Sequence, residues 1–318
     1  MGTPDFAVES LRALVENGYN VVGVVTMPDK PMGKHQSVLQ ASAVKQYALS
    51  QNLPVLQPEK LKDEGFLSDL RALNADLQIV VAFRMLPELV WNMPRLGTFN
   101  LHASLLPQYR GAAPINWAII NGETETGVTT FFLTHEIDTG KIIFQEKIPI
   151  ADSDNAEIIH DQLMKLGAEL VTKTVDAIAN QDIKPVMQEE MMSGDGVLKP
   201  APKIFKESCK INWNQSTKAV YDFIRGLSPY PAAWTEIMTS KGTNLNLKIF
   251  TAEKRIENHN LPVGILCSDG KNTLEVAVTD GFIRILELQQ AGKKRMAADE
   301  FLRGNAWIIL HNTFFLNS

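Results

Sequence analysis

Between Asp76 and Phe83 the sequence reads DLQIVVAF, a nearly continuous apolar run bounded by polar and turn residues. Alternation vanishes when a strand meets no water on either face, so this is the pattern of a buried parallel strand. Such a strand needs helices on both sides of its sheet. The neighbouring sequence offers them. Thr3-Pro4-Asp5 reads as an N-cap with proline at the first helical position, followed by Phe6, Val8, Leu11, Leu14 and Val15 before Gly18 stops the helix. NVVGVVT (20–26) predicts a strand, then comes a loop with Pro28, Pro31 and Gly33, a helix near 43–51 and a short strand at PVLQP. TFNLHA, GVTTFFLT (127–134) and KIIFQEKIPI (141–150) extend the sheet, and 155–181 predicts a long helix burying Ile158, Ile159, Leu163, Leu166, Leu170, Val175 and Ile178. Strands alternating with helices imply an α/β class and a mostly parallel, doubly wound sheet.

Beyond residue 182 the texture changes. Residues 183–202, with Pro185, Gly194, Gly196, Pro200 and Pro202, read as a linker between a first domain (1–182) and a second (203–318). The second has a helix near 217–225, the turn SPYPAAW, and short strands near LNLKIF, PVGILC, LEVAV and FIRILEL, a spacing that suggests a small β-barrel. With 45% hydrophobic and 21% charged residues the chain has the composition of a soluble globular protein. It opens with no basic segment leading into an apolar one and carries no apolar run of roughly 18 residues, so a cytoplasmic protein with no membrane partner is expected. Cys209 and Cys267 lack CxxC spacing and nearby histidines, which points to structural thiols and away from zinc. Charge is divided unevenly: residues 203–318 hold 15 Lys and Arg against 11 Asp and Glu, leaving 16 against 25 before them. A mildly basic second part suits a polyanionic partner, although an ordinary solvated surface produces the same difference.

In a doubly wound sheet, ligands bind beyond the carboxyl ends of the strands. Asn100 and His102 stand at such an end, two residues apart and therefore on one face. HEIDTG (135–140) forms a turn after the next strand and brings Asp138 to the same edge. Asn, His and Asp converging there could orient an imidazole, donate to a developing oxyanion and manage a proton. Taken singly, such a histidine is more often core filler than a catalyst, the asparagine more often a turn residue and the aspartate more often a turn start. Ser104, followed by Leu105 and Leu106, sits on no G-x-S-x-G elbow, which argues against acyl transfer through serine.

The ordered motifs GTPDFAVESL, PDKPMGK, LPVLQP, FNLHASLLPQYRGAAPINWAIINGETETGVT, DTGKI, APKI, INW, IRGLSPYPAAW and QQAGKKRMAADEFLRG cover nearly the whole chain. In them it resembles the methionyl-tRNA formyltransferases of the 10-formyltetrahydrofolate-dependent formyltransferase superfamily. The resemblance implies a Rossmann-like formyltransferase domain followed by an OB-like domain that helps hold tRNA. It places the catalytic trio on Asn100, His102 and Asp138, the folate-binding loop on Ser104, Leu105, Leu106 and Pro107, and the tRNA-reaching loop on Lys30 and Lys34. It further implies 10-formyltetrahydrofolate as formyl donor, methionyl initiator tRNA as acceptor, no metal, and a monomer. Asn100 and His102 would steady the tetrahedral oxyanion, and Asp138 would hold His102 in a useful protonation state. An enzyme formylating an amino sugar nucleotide, or a tRNA- or folate-binding remnant, shares parts of the pattern; AGKKRMAADEFLRG favours the tRNA enzyme.

Four features depart from the family. An apolar strand precedes GTPDF there and lies mid-sheet, whereas here Met1 alone stands before Gly2, so a functional protein with several more residues is expected. Arg84 replaces a small residue near the folate pocket. Lys34 stands where arginine is common, with Gln36 and Ser37 following it. The tail at 305–318 is unusually apolar.

Overall fold

The computed structural model describes residues 1–32, 38–192, 197–238 and 244–305. Two compact units divide it, each built from discontinuous stretches where the sequence suggested single boundaries. One comprises Met1–Gly111, Thr126–Ile148 and His160–Pro200; the other comprises Ala112–Glu125, Pro149–Ile159 and the chain from Ala201 on.

In the first unit α1 (Phe6–Glu16) begins later than Thr3-Pro4 suggested, because Asp5 is the cap: its carboxylate accepts the Phe6 N–H at 3.0 Å. Next come β1 (Val24–Val25), β2 (Lys30–Met32), β3 (Val38–Gln40), α2 (Ala43–Ser50), β4 (Val55–Leu56), α3 (Glu64–Ala72), β5 (Gln78–Val81), α4 (Glu88–Trp91) and β6 (Thr98–His102). Helix α5 (Pro114–Ile120), which belongs to the second unit, leads to β7 (Glu125–Phe132), β8 (Ile142–Pro149) and the long α6 (Ala156–Ala179), whose first turn also belongs to the second unit. Parallel pairing joins β1 to β4 and β5 to β6, while β6 and β7 run antiparallel in the order β5-β6-β7-β8. The sheet is therefore mixed: the parallel character expected for most of it stops at β6. Helix α6 buries Ile159, Leu163, Leu170 and Ile178 as expected but leaves Ile158 41% exposed.

A slot separates β1 from β5. Met1 and Gly2 occupy its end: Gly2 N–H donates to Val25 O at 3.0 Å, Val81 N–H donates to Met1 O at 2.9 Å, and the Met1 amino group donates to Ile79 O at 2.6 Å. The rest is a cavity of about 570 Å³, lined by Val21, Val22 and Gly23 on one side and by Leu77 and Ile79 on the other. The predicted strand 20–26 shrinks to two residues for this reason, since its first half has no neighbour to pair with. Ser10 also lines the slot, and its buried hydroxyl has no partner among the described residues.

The second unit adds α7 (Thr217–Gly226), β9 (Ala233–Met238), β10 (Asn244–Ile256), β11 (Leu266–Ser268), β12 (Leu274–Val278), β13 (Gly281–Gln290), β14 (Met296–Ala297) and α8 (Ala298–Gly304). Its sheet follows β11-β12-β13-β10-β9 with antiparallel pairs, and β14 lies against β13. No β9–β11 pair closes it among the described residues, but Ile237 of β9 and Leu266 of β11 enter one core with Trp213, Ile285 and Phe301. Polar bonds draw the discontinuous stretches in. Asn116 Nδ2 donates to Gly226 O at 2.7 Å, and Arg225 Nη1 donates to the carbonyls of Asp154 at 2.7 Å and Ala151 at 3.1 Å. Cys209 and Cys267 are free thiols pushed upward in pKa by burial, which suits an inert structural role.

Candidate active site

Strand β6 ends in the pair that the sequence singled out. Pleating puts Asn100 and His102 on one face. Asn100 is half-buried, and its carboxamide has no hydrogen-bond partner among the described residues; His102 is buried. The imidazole is held on two sides: Phe131 meets it edge-on at 6.5 Å between centroids, and Nε2 lies 2.8 Å from Tyr109 O. A carbonyl only accepts, so Nε2 carries the proton and Nδ1 faces outward. Opposite Nδ1, at 3.9 Å, stands Asp138 Oδ2. This is an ion-pair distance, too long for a direct hydrogen bond.

Two left-handed residues aim these groups. Asp138 has φ 55° and Tyr109 has φ 62°, a conformation that is unusual for a bulky side chain and recurs at functional sites. The Asp138 turn is pressed onto β7 at Gly140, where a Cβ would collide with the Phe132 carbonyl oxygen, so glycine is required. Gly111 N–H donates to Asp138 Oδ2 at 2.9 Å. The run Tyr109–Gly111 thus touches both His102 and Asp138, a role that sequence reading missed because it is played by main-chain atoms.

The loop Ser104–Pro107 turns inward. Ser104 Oγ donates to Gln108 O at 2.7 Å, Leu106 packs with Phe131 and Ile142, and Pro107 is buried. Thr129, fully buried on β7, ties the loop down: its hydroxyl donates to Ser104 O at 2.6 Å and accepts the Leu106 N–H at 3.2 Å. Gln145 Nε2 donates to Leu106 O at 2.7 Å and to Thr129 Oγ1 at 2.9 Å. Leu105 is half-buried beside Gly127, where a Cβ would strike its Cδ2. The side chains therefore build the loop together with its own main chain, whose Ser104 O, Leu106 N–H and Leu106 O are all engaged within it, and Leu105 is the one of the four residues that is not buried.

Arg84, just beyond β5, spends its guanidinium on the carbonyls of Glu59, at 2.8 Å, and Pro58. It braces the loop after β4. Lys30 is exposed at the start of the β2–β3 hairpin; next to it, hydrogen bonds from Lys45 and Gln57 hold the Asp29 carboxyl below the usual carboxylate range. Lys34 lies outside the described residues, as do Gln36, Ser37 and 306–318 of the tail. Among the described residues no three His, Cys, Asp or Glu side chains are grouped to hold a metal ion, and no helix is long and apolar enough to cross a membrane.

Comparison with known proteins adds the lineage. The family model described as Formyl transferase matches residues 1–175, and the one described as Formyl transferase, C-terminal domain, matches 203–306. The chain is 70% identical over 304 residues to a methionyl-tRNA formyltransferase of Parabacteroides distasonis, covering 96% of this chain and 94% of that one. It is 53% identical to another from Flavobacterium johnsoniae, with the same shares covered. A solved sugar 3N-formyl transferase superposes with a TM-score of 0.61 at 21% identity, over 92% of this chain and 97% of that one, a likeness of fold. Matched in both its parts and at high identity over nearly all its length, the chain belongs to the formyl transferase family.

Proposed function

We propose that the chain moves the formyl group of 10-formyltetrahydrofolate to the α-amino group of methionine esterified to initiator tRNA. The observation that carries this reading is the near full-length likeness to methionyl-tRNA formyltransferases. Asn100 and His102 on one face at the end of β6, with Asp138 opposite the His102 ring, supply chemistry to match.

The unpartnered Asn100 carboxamide is a preorganised donor for the formyl oxygen as it becomes an alkoxide. His102, with Nε2–H committed to Tyr109 O, presents Nδ1 and so works in concert with Asp138. When the amine attacks the formyl carbon, the new N–C bond leaves a positive nitrogen. One of its protons must leave and one must reach N10 as the N10–formyl bond breaks, and the His102–Asp138 pair relays it. None of these steps calls on a metal ion. The Ser104–Pro107 loop, with half-buried Leu105 at its surface, receives the folate ring. Lys30 and Lys34, with the mildly basic stretch 203–318, attract tRNA phosphates, and the enzyme acts as a cytoplasmic monomer.

Transfer from labelled formyl donor to methionyl initiator tRNA, run beside an amino sugar nucleotide, tests the proposal. Formylmethionyl-tRNA as the product supports it. A formylated sugar nucleotide as the only product overturns it in favour of the amino-sugar reading.

A further inference from the structure

Gln188 lies far from β6 in sequence, in a short 3-10 turn (Gln188–Met191), yet it is fully buried against the candidate site. Its Nε2 donates to Asp138 O at 2.8 Å and to Gly140 O at 2.9 Å. Its Oε1 accepts from Arg110, from Nε at 3.0 Å and from Nη2 at 2.6 Å. Two acceptors on one side and a guanidinium on the other permit one orientation of the amide, and in it every hydrogen-bonding atom of the side chain is used. The main chain before it is anchored as well: Val186 and Ile142 exchange both N–H···O bonds at 2.9 Å.

The contacts close a ring. Gln188 grips the backbone of Asp138 and Gly140, the Asp138 carboxylate accepts from Gly111, Gly111 follows Arg110, and Arg110 returns to Gln188. Tyr109, whose carbonyl fixes the His102 tautomer, is the next residue back. One amide thereby holds both walls between which His102 and Asp138 face each other. It also holds Asp138 in its left-handed backbone conformation, where a small rotation would swing the carboxylate away from Nδ1.

We propose that Gln188 is a positioning residue for the formyl transfer reaction, setting the distance and direction of the Asp138 carboxylate toward His102. The inference rests on the catalytic reading of that pair. It assigns Gln188 no contact with either substrate and requires that its effect pass through Asp138. A residue that merely supports the fold would lower stability and leave turnover of the folded enzyme intact.

A double-mutant cycle in the full chain tests it, with Gln188→Met, Gln188→Glu and Asp138→Asn. Met removes all four bonds; Glu keeps an oxygen toward Arg110 but turns another onto the two carbonyls. Both single variants are expected to lower kcat roughly 10- to 100-fold, with KM for donor and acceptor within about 3-fold, because only the proton-handling geometry is disturbed. In the Asp138→Asn background the added loss from Gln188→Met shrinks to less than about 3-fold. Effects that multiply in full, or kcat unchanged in the folded single variants, overturn the proposal. The ring 15N resonances of His102 give a readout independent of turnover: Gln188→Glu shifts them in the same direction as Asp138→Asn, and unshifted resonances overturn it. A protein inactive with every acceptor, yet showing that shared shift, would remove the proposed function while leaving the positioning intact.

Discussion

Asp138 Oδ2 stands 3.9 Å from His102 Nδ1 while it accepts a 2.9 Å hydrogen bond from Gly111 N–H, so one carboxylate oxygen serves both the loop and the imidazole. Asp138→Asn keeps the size of the side chain and removes the charge opposite Nδ1. If the pair relays a proton, kcat in the transfer assay falls by about 10²- to 10⁴-fold, with thermal stability nearly unchanged. A loss below tenfold would place the relay elsewhere.

Thr129 is fully buried, and its hydroxyl serves Ser104 O, the Leu106 N–H and Gln145 Nε2 together. Thr129→Val keeps the shape and strands those partners. The expected cost is about 2–4 kcal/mol in urea unfolding, with a raised KM for the formyl donor if the 104–107 loop holds the folate.

Asp222 and Arg225 are buried in α7, with Arg225 Nε 2.7 Å from Asp222 Oδ1. Arg225→Met leaves the Ala151 and Asp154 carbonyls without their donor and the carboxylate with Lys218 alone, at 2.5 Å. Unfolding free energy is expected to drop by about 3–5 kcal/mol, and pairing it with Asp222→Leu should recover part of that loss. A double variant less stable than Arg225→Met contradicts this.

The slot beside β1 links stability to pH. Burial lowers the Met1 amino group from 8.0 to about 5, so between those values the unfolded chain binds more protons than the folded one. For the chain that begins at Met1, this group's contribution to stability is fully present above pH 8 and is lost as the pH falls toward 5, by up to about 4 kcal/mol. Gly23 N–H and Ile79 N–H both point into the slot, because Val24 N–H and Gln78 N–H are committed to the opposite sides. An apolar segment of about five residues joined ahead of Met1 should pair there, raise the melting midpoint by at least about 5 °C and flatten the slope between pH 5 and 8. A polar segment of equal length should leave the midpoint unchanged. Equal midpoints for the two extensions contradict strand pairing in the slot.

How far the sequence could be read differs from place to place for physical reasons. Helices α2 and α6 and strands β5 and β6 were legible from their own residues, α6 by its apolar stripe and β5 by an unbroken apolar run. Strand 20–26 has the right residues, yet pairing needs a neighbour, and the slot denies one to Val21 and Val22. Nothing local marks β7 as antiparallel to β6, since strand direction is settled by how the chain returns. At the site, Asn100, His102 and Asp138 show by residue type and by the family motif. Tyr109 acts through its carbonyl and Gly111 through its N–H, atoms every residue has, so spacing could not reveal them. Gln188 stood in a stretch read as linker, where one buried glutamine among polar residues has no distinguishing pattern.

The central claim is that His102 and its neighbours promote formyl transfer to methionyl initiator tRNA. Single-turnover transfer from 10-formyltetrahydrofolate, comparing the unaltered chain with His102→Ala at matched folded concentration, tests it most directly. The account predicts formylmethionyl-tRNA from the unaltered chain and a rate at least about 100-fold lower from the variant. Equal rates for the two proteins would contradict it.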